Sequence, residues 1–509
     1  MEFCRDTGLH GYKYIGESHR AMKDRIVWAI MAFVSLCTAI VIIVFTYDYY
    51  ANHRVSSVIK STHYGIWNYP FPAVTVCNIN RVSLRLTRKL VDKLNLPPSI
   101  SKELVVQDMK LLNELLYPGQ TEQNIRYNLS RLQYIFDANG LSIPTVIESV
   151  TQSCESLLTA CKLKNYDVQC NQLFTPRYSR DGLCCSFNYI SREQFLENKT
   201  KPLKVTSCGY QNGLSLLISF EPDDYHASFL GSIGIKVMVH YSYDYPDFDA
   251  STKLVIIEKY SFLTVYPKQT YSTEHVRELE NTKRDCIFAD EGDKVTTMDN
   301  QGLFARYSYQ NCLVECRANV IKAKCGCIPY YYPQNETRVC DLRDIECLEV
   351  YKSWYASSWP GRDLSPKTLR SMQIDVKDRP CNCKPDCDFY RYVVESSEGT
   401  LNKRIFHVGL KYSTSFGENN TWKNQSVIHV FFDDLVSVQF RQDVHYSWRH
   451  IFATFGGLLG LFAGFSLMSI FEFIYFFVIR VMTNTCSEKH DVDRILITKN
   501  QRSKNQMTE

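Results

Sequence analysis

The chain has 509 residues, of which 45% are hydrophobic and 22% charged, and its net charge is only +4. Charge so evenly dispersed excludes a concentrated basic face for nucleic acid, and the length admits several ordinary domains. What discriminates between classes is a set of 20 cysteines and two long apolar runs.

Residues 1–25 form a short tail that brings Arg20, Lys23 and Arg25 up to the first run. That run, Ile26 to Tyr47, has 22 residues and no Asp, Glu, Lys or Arg. A bilayer core of ~30 Å takes about 20 helical residues, so 26–47 is long enough to span. A signal peptide has a shorter apolar stretch, about 7–15 residues, ending at a small-residue cleavage site. Here the run continues into bulky Tyr47, Tyr49 and Tyr50.

Residues 48–448 lie between the two runs. Ser101 to Tyr117 reads as a helix, with Leu104, Leu111, Leu112 and Leu115 recurring on one face and Pro118-Gly119 stopping it. From Gly213 the texture changes to short β-rich runs at 213–220, 233–240 and 253–258. Ten cysteines then crowd into 286–387. The C-x-C pairs Cys325/Cys327 and Cys381/Cys383 raise the question of zinc, but zinc sites favour C-x₂-C pairs and reducing compartments; a disulfide ladder is the reading adopted. Val436, Val438 and Phe440 alternate with Ser437 and Gln439, which reads as a strand leading into the second run.

The second run extends from Ile451 to Phe471 and past Glu472 to Ile479, within an expected membrane segment 449–480; residues 481–509 form the last tail. At 1.5 Å per residue, 451–479 would reach roughly 43 Å, more than a bilayer core, so a tilted or broken helix is expected. Lys and Arg flank both runs on their outer sides, at Arg20, Lys23 and Arg25 and again at Arg480, Lys489, Arg494 and Lys499. Such residues concentrate on the cytoplasmic side, which places both tails inside and 48–448 outside. Five N-x-S/T sequons, at Asn128, Asn198, Asn335, Asn419 and Asn424, and 17 of the 20 cysteines fall in that outer segment. Disulfides are expected there.

With that topology, several motifs resemble those of the DEG/ENaC and acid-sensing sodium channel superfamily. Phe71-Pro72-Ala73-Val74-Thr75-Val76-Cys77-Asn78 is similar to its FPAVTxCN signature, and Gly182 to Asn188 to its GxCxxFN element. Tyr309-Gln310-Asn311-Cys312, Cys316, Cys325-Gly326-Cys327 and Cys381-Asn382-Cys383 with Cys387 resemble its thumb signature. Gly456 to Ser466, with Glu472 beyond, resembles its second pore helix, and the match runs from His10-Gly11 to Glu472. The cysteine-rich region and pore sequence look most like the insect pickpocket branch.

The resemblance implies a membrane protein with two transmembrane helices and a large α+β, disulfide-rich ectodomain of palm, β-ball, finger, knuckle and thumb. It implies a homotrimer or a heterotrimer with related subunits, embedded in membrane lipid, that conducts Na+ and needs no cofactor and no metal. It further implies the pairs Cys77–Cys184, Cys161–Cys170, Cys286–Cys387, Cys312–Cys383, Cys316–Cys381, Cys325–Cys347 and Cys327–Cys340. Cys154, Cys185 and Cys208 are left over, enough for one more pair and one free or intermolecular thiol. For the pore it implies a filter at Gly464, Phe465 and Ser466, a gating role for His10 and Gly11, and a gate position at Ala453, where a small side chain permits closure.

Gly456, Gly457, Gly460 and Gly464 also suit close helix packing, and packing and pore lining are compatible roles. Glu472, a carboxylate at membrane depth, is expected to face an aqueous cavity, where three copies would concentrate cations, or to pair with Arg480. Where acid-sensing relatives carry a His pair after the first span this chain has Ser56-Ser57, and their thumb-base Trp is replaced near Arg284. Proton gating is therefore not expected, although His53, His63, His240 and His429 belong to the residue type that titrates near neutrality. The alternatives are an ATP-gated two-span trimer, which lacks FPAVTxCN, and a two-pass receptor whose spans only anchor it. No catalytic constellation points to an enzyme. The stimulus, including any extracellular ligand, is not legible in the sequence.

Overall fold

The computed structural model describes residues 2–52, 55–119, 122–198, 200–228, 230–248, 250–291, 303–333, 337–357, 359–362, 380–401, 424–444 and 448–483. The chain divides into two units, Met1–Ser56 with Asp443–Glu509, and Ser57–Gln442.

The larger unit is built on two sheets. The first has eight strands: β1 (Val55–Gly65), β4 (Leu158–Leu163), β5 (Tyr166–Val168), β8 (Leu214–Ser219), β12 (Lys259–Ser272), β13 (Phe389–Thr400), β14 (Gln425–Phe432) and β15 (Val436–Val444). Their order is β1-β15-β12-β14-β8-β4-β5, with β13 also on β12. The second sheet has β2 (Ala73–Asn78), β6 (Phe174–Ser179), β7 (Gly182–Phe187), β10 (Gly234–His240) and β11 (Ser251–Ile256) in the order β11-β10-β2-β7-β6. A two-stranded pair joins β3 (Asn80–Ser83) to β9 (Tyr225–Ser228).

The period-2 alternation of strand side chains decides what lies between the sheets. Val74 and Val76 of β2 and Ile235, Val237 and Val239 of β10 share one core with Leu214, Leu216 and Ile218 of β8 and with Ile428, Val430 and Phe432 of β14. A second core gathers around the helices Gln123–Ala138, Ile143–Val150 and Tyr309–Cys325, anchored by Leu132, Phe136, Val146, Val314 and Ile321.

Strand β12 holds the larger sheet together. It pairs antiparallel with β13 from Lys259 to Thr270; on its other edge it runs parallel first to β14 and then to β15. The change of partner falls between Val265 and Gln269. Pro267 sits in that gap, where a residue without an N–H costs no ladder bond.

Eight disulfides staple this unit: Cys77–Cys184, Cys154–Cys185, Cys161–Cys170, Cys286–Cys387, Cys312–Cys383, Cys316–Cys381, Cys325–Cys347 and Cys327–Cys340. Cys154 and Cys185 thus bond to each other, and Cys208 is a free thiol. Among the sequons, Asn128 is half-buried in a helix, its amide oxygen accepting from Arg131, and Asn424 is half-buried at the start of β14. Asn198 ends the helix Arg192–Asn198. Asn335 and Asn419 lie outside the described residues.

One local reading of the sequence needs correction. The expected helix 101–117 is an α-helix only over Lys102–Asp108, capped by the Ser101 side chain, and continues as a 3₁₀ turn over Met109–Leu115. Its buried face is Val105, Met109, Leu112 and Leu115, while Leu104 is exposed, because the tighter 3₁₀ turn changes the angular spacing. The strand expected at 436–440 is β15; its buried residue is Gln439, whose Nε2 donates to the Gln269 side chain at 2.9 Å.

His240 and His429 are both buried. His240 bridges Thr75 Oγ1 and the Tyr241 carbonyl; His429 lies between Ser215 Oγ and Tyr260 OH and stacks on Phe262. Burial pushes each imidazole down to about 4, far from the near-neutral range of a free histidine. Above pH 6.5 both states are neutral. Below it the unfolded chain takes up protons that the fold refuses, so each histidine costs stability as pH falls from 6.5 toward 4. Burial drives Asp244 and Asp386 up to about 7, and their contributions run in the opposite sense over much of the same window. The two trends offset each other in the intact chain, and substitution separates them. From pH 7.5 to 5, His429→Gln should lose about 2 kcal/mol less stability than the parent, measured by thermal unfolding at both pH values. Equal losses would show that His429 titrates normally in the fold.

Candidate functional site

The smaller unit carries the apolar segments. Its first helix, Met22–Asn52, overruns the expected 26–47 at both ends; Met22–Ala51 has a mean hydropathy of 2.7 over its best window and is apolar and long enough to cross a membrane. A second apolar stretch is two helices, Arg449–Ala463 and Leu467–Thr483, meeting at 70°. Tyr50 OH approaches Thr454 Oγ1 at 3.4 Å, and Ser35 Oγ donates to the Phe462 carbonyl at 2.7 Å, so the first helix runs beside the first half of that pair.

The interruption has a local cause. Gly464 adopts φ +69°, the left-handed region that ends helices cheaply only without a Cβ. Its N–H reaches the Gly460 carbonyl and that of Phe465 reaches Leu459. Ser466 restarts the chain as the next N-cap: its hydroxyl accepts from the Ser469 N–H while Ser469 Oγ accepts from the Ser466 N–H. Gly464 and Phe465 therefore lie between two helices, with carbonyls outside either helical ladder.

The amino-terminal segment packs directly against this break. The His10 N–H donates to the Ala463 carbonyl at 3.0 Å, satisfying one of the groups that a helix end leaves unpaired. A Cβ added at Gly464 would stand 2.6 Å from His10 Cδ2, so glycine is required by contact as well as by backbone angle. Gly11 has φ +82° and caps the short helix Tyr12–Gly16, which is held by Tyr14 packed on Trp28 of the long helix. Beyond the break, Phe3 packs edge-on to Phe473, Phe476 and Phe477.

Glu472 has partners that sequence reasoning missed. Its Oε2 accepts from Thr7 Oγ1 at 2.9 Å and from the Gly8 N–H at 3.1 Å. Two bonds to one carboxylate oxygen make Glu472 a clasp on the amino-terminal turn. Thr7, Gly8, Phe3 and Ser35 carry no motif or periodicity that marks them, and Thr7 lies 465 residues from its partner. Ala453 is exposed on the first half of the bent pair, one turn before Gly457. The structure thus brings His10, Gly11, Gly464 and Glu472 into one neighbourhood and leaves Ala453 apart.

The sequence profile described as amiloride-sensitive sodium channel matches residues 3–476, nearly all of the chain. The chain belongs to the amiloride-sensitive sodium channel family. Among similar proteins, sodium channel protein Nach of Drosophila melanogaster is 22% identical over 95% of this chain and 87% of its own length. Pickpocket protein 28 of the same organism is 23% identical over 96% of this chain and 80% of itself. Acid-sensing ion channel 1A of Danio rerio is 22% identical over 96% and 89%. This family is one of ion channels, not enzymes. Membership makes the chain a sodium channel subunit of the plasma membrane, with a disulfide-rich, β-rich ectodomain.

Proposed function

We propose that the chain is a pore-forming subunit of a trimeric, sodium-selective, voltage-insensitive and amiloride-sensitive cation channel, gated through its ectodomain. Three chains, identical or from related subunits, surround one axis. Each crosses the lipid twice, with the bent helix pair as its second span and both termini in the cytoplasm. The larger unit takes the palm, β-ball, finger, knuckle and thumb layout outside the cell. The observation that carries this reading is the seating of His10-Gly11 on the helix break at Gly464.

Non-helical backbone at membrane depth is tolerated where it lines water or is buried in protein. With three copies, carbonyls from Gly464 and Phe465 turn toward the axis and replace part of the hydration shell of Na+. The Ser466 hydroxyl contributes while also capping its helix. Glu472 adds negative charge beneath the filter and, through its bonds to Thr7 and Gly8, ties filter geometry to the amino-terminal tail. Movement of that tail therefore changes the filter, which is how His10 and Gly11 act in gating.

The test is whole-cell current from cells expressing Ala453→Val, with sodium replacement and amiloride. A larger side chain at the gate position props it open, so a constitutive, sodium-dependent, amiloride-blocked current is expected. A silent variant at normal surface density would reject a homomeric conductor and favour a subunit that conducts only with related chains, or a two-pass receptor.

A further inference from the structure

Behind the Cys77–Cys184 and Cys154–Cys185 disulfides lies a cavity of about 20 Å³. It is large enough for one water-sized species and too small for a polyatomic anion. Arg81 of β3 and Gln152, in the loop after the helix Ile143–Val150, line it together with Asn78 and both half-cystines Cys184 and Cys185. The Arg81 side chain is 6% exposed, and its Nε and Nη2 are buried without a hydrogen-bond acceptor among the described residues. The buried Nε2 of Gln152 is in the same position.

The orientation of that amide is fixed by its neighbours. Asn78 Oδ1 accepts from the Asn80 N–H and from Tyr225 OH, so its Nδ2 must be the donor to Gln152 Oε1, at 2.7 Å. Gln152 therefore turns its N–H₂ to the cavity. The unsatisfied groups of Arg81 and Gln152 are all donors. Water, which donates as well as accepts, matches them poorly; a monatomic anion, which only accepts, matches them well.

The charge balance points the same way. Asp181 is the one carboxylate, among the described residues, paired with either Arg81 or Lys236: Arg81 Nη2 stands 3.5 Å from its Oδ1 and Lys236 Nζ 2.5 Å from its Oδ2. Tyr117 OH donates to the same carboxylate. Arg81, buried, and Lys236, with a quarter of its side chain still exposed, share this one buried carboxylate, so Arg81 is only partly neutralised and its remaining buried donors call for a further acceptor. The disulfides keep the walls from collapsing onto it.

We propose that this cavity is a binding site for a single halide ion, chloride in the extracellular medium, held by Arg81 and Gln152. The site lies in the larger unit and does not depend on the conduction mechanism.

The experiment uses the full-length protein in detergent, with chloride replaced stepwise by methanesulfonate at constant ionic strength and thermal unfolding followed by tryptophan fluorescence. Chloride and bromide should each raise the midpoint saturably, by about 2–4 °C, and methanesulfonate should not. Gln152→Glu places a carboxylate where the halide sits and keeps the acceptor for Asn78, so its midpoint should no longer respond to chloride. Should that variant fail to fold, Gln152→Leu, which removes one donor, should shift the chloride midpoint about tenfold upward. A parent midpoint indifferent to the anion would mean that the cavity holds water only, and an unchanged chloride response in the folded variants would place the effect elsewhere. Either result overturns the proposal.

Discussion

Gly464→Ala should reduce sodium current at least about tenfold while the protein still reaches the cell surface. At φ +69° an L-residue costs roughly 1–2 kcal/mol, and the added methyl would sit 2.6 Å from His10 Cδ2 and 2.8 Å from Cγ. Each 1.4 kcal/mol is a factor of ten in the population of the native break. The two contributions are separable. His10→Ala combined with Gly464→Ala removes the collision and leaves the backbone strain, so the double variant should recover part of the current. Sodium-over-potassium selectivity, read from reversal potentials, should fall in the single variant because the carbonyls of Gly464 and Phe465 are displaced together. A Gly464→Ala channel with parental current and selectivity would remove the break from the conduction pathway.

Arg317→Leu should cost about 3–5 kcal/mol of ectodomain stability and greatly reduce surface expression. Arg317 lies on the helix Tyr309–Cys325, and its guanidinium pairs with Asp247, with side-chain exposures of 2% and 3%. It also lies 5.1 Å from the Phe248 ring, on which Arg180 stacks at the same distance. Removing Arg317 takes from the buried Asp247 carboxylate its ion-pair partner. Replacing both partners, as in Arg317→Leu with Asp247→Leu, removes the charge along with its counter-charge and should restore most of the loss. The thermal midpoint of the solubilised protein measures each step. If the double variant is no better than the single, the helix packing rather than the ion pair is what Arg317 supplies.

How legible these features are in the sequence depends on how local their causes are. The first apolar helix and the β-rich runs at 213–220 and 233–240 follow from composition and from the period-2 pattern that Leu214, Leu216 and Ile218 display. Gly464 is local too, since a glycine between two apolar helices marks where a chain can turn. The 3₁₀ segment Met109–Leu115 was hidden because its leucines fit either helical period over so short a stretch. The burial of Gln439 is not legible in its strand's alternation, because the partner of its Nε2, Gln269, lies on a distant strand. The Glu472 clasp and the cluster of Arg180, Arg317 and Asp247 join residues distant in sequence through one or two atoms each. No periodicity records such contacts; only the fold brings them together.

The Cys286–Cys387 disulfide has a consequence for how this protein can change over generations. The two half-cystines lie 5.1 Å apart at Cα although 101 positions separate them, and Ile287 forms a β-bridge with Asp386 just inside. The excursion between them leaves and re-enters through a single closed neck. The ladder between β12 and β13 ends at Thr270 and Phe389, two residues from the second half-cystine, so the disulfide anchors the sheet where the excursion begins. Exposed stretches of the excursion can vary in length, whereas the helix Tyr309–Cys325, packed into the second core and tied through Arg317 to Asp247, holds its inherited geometry.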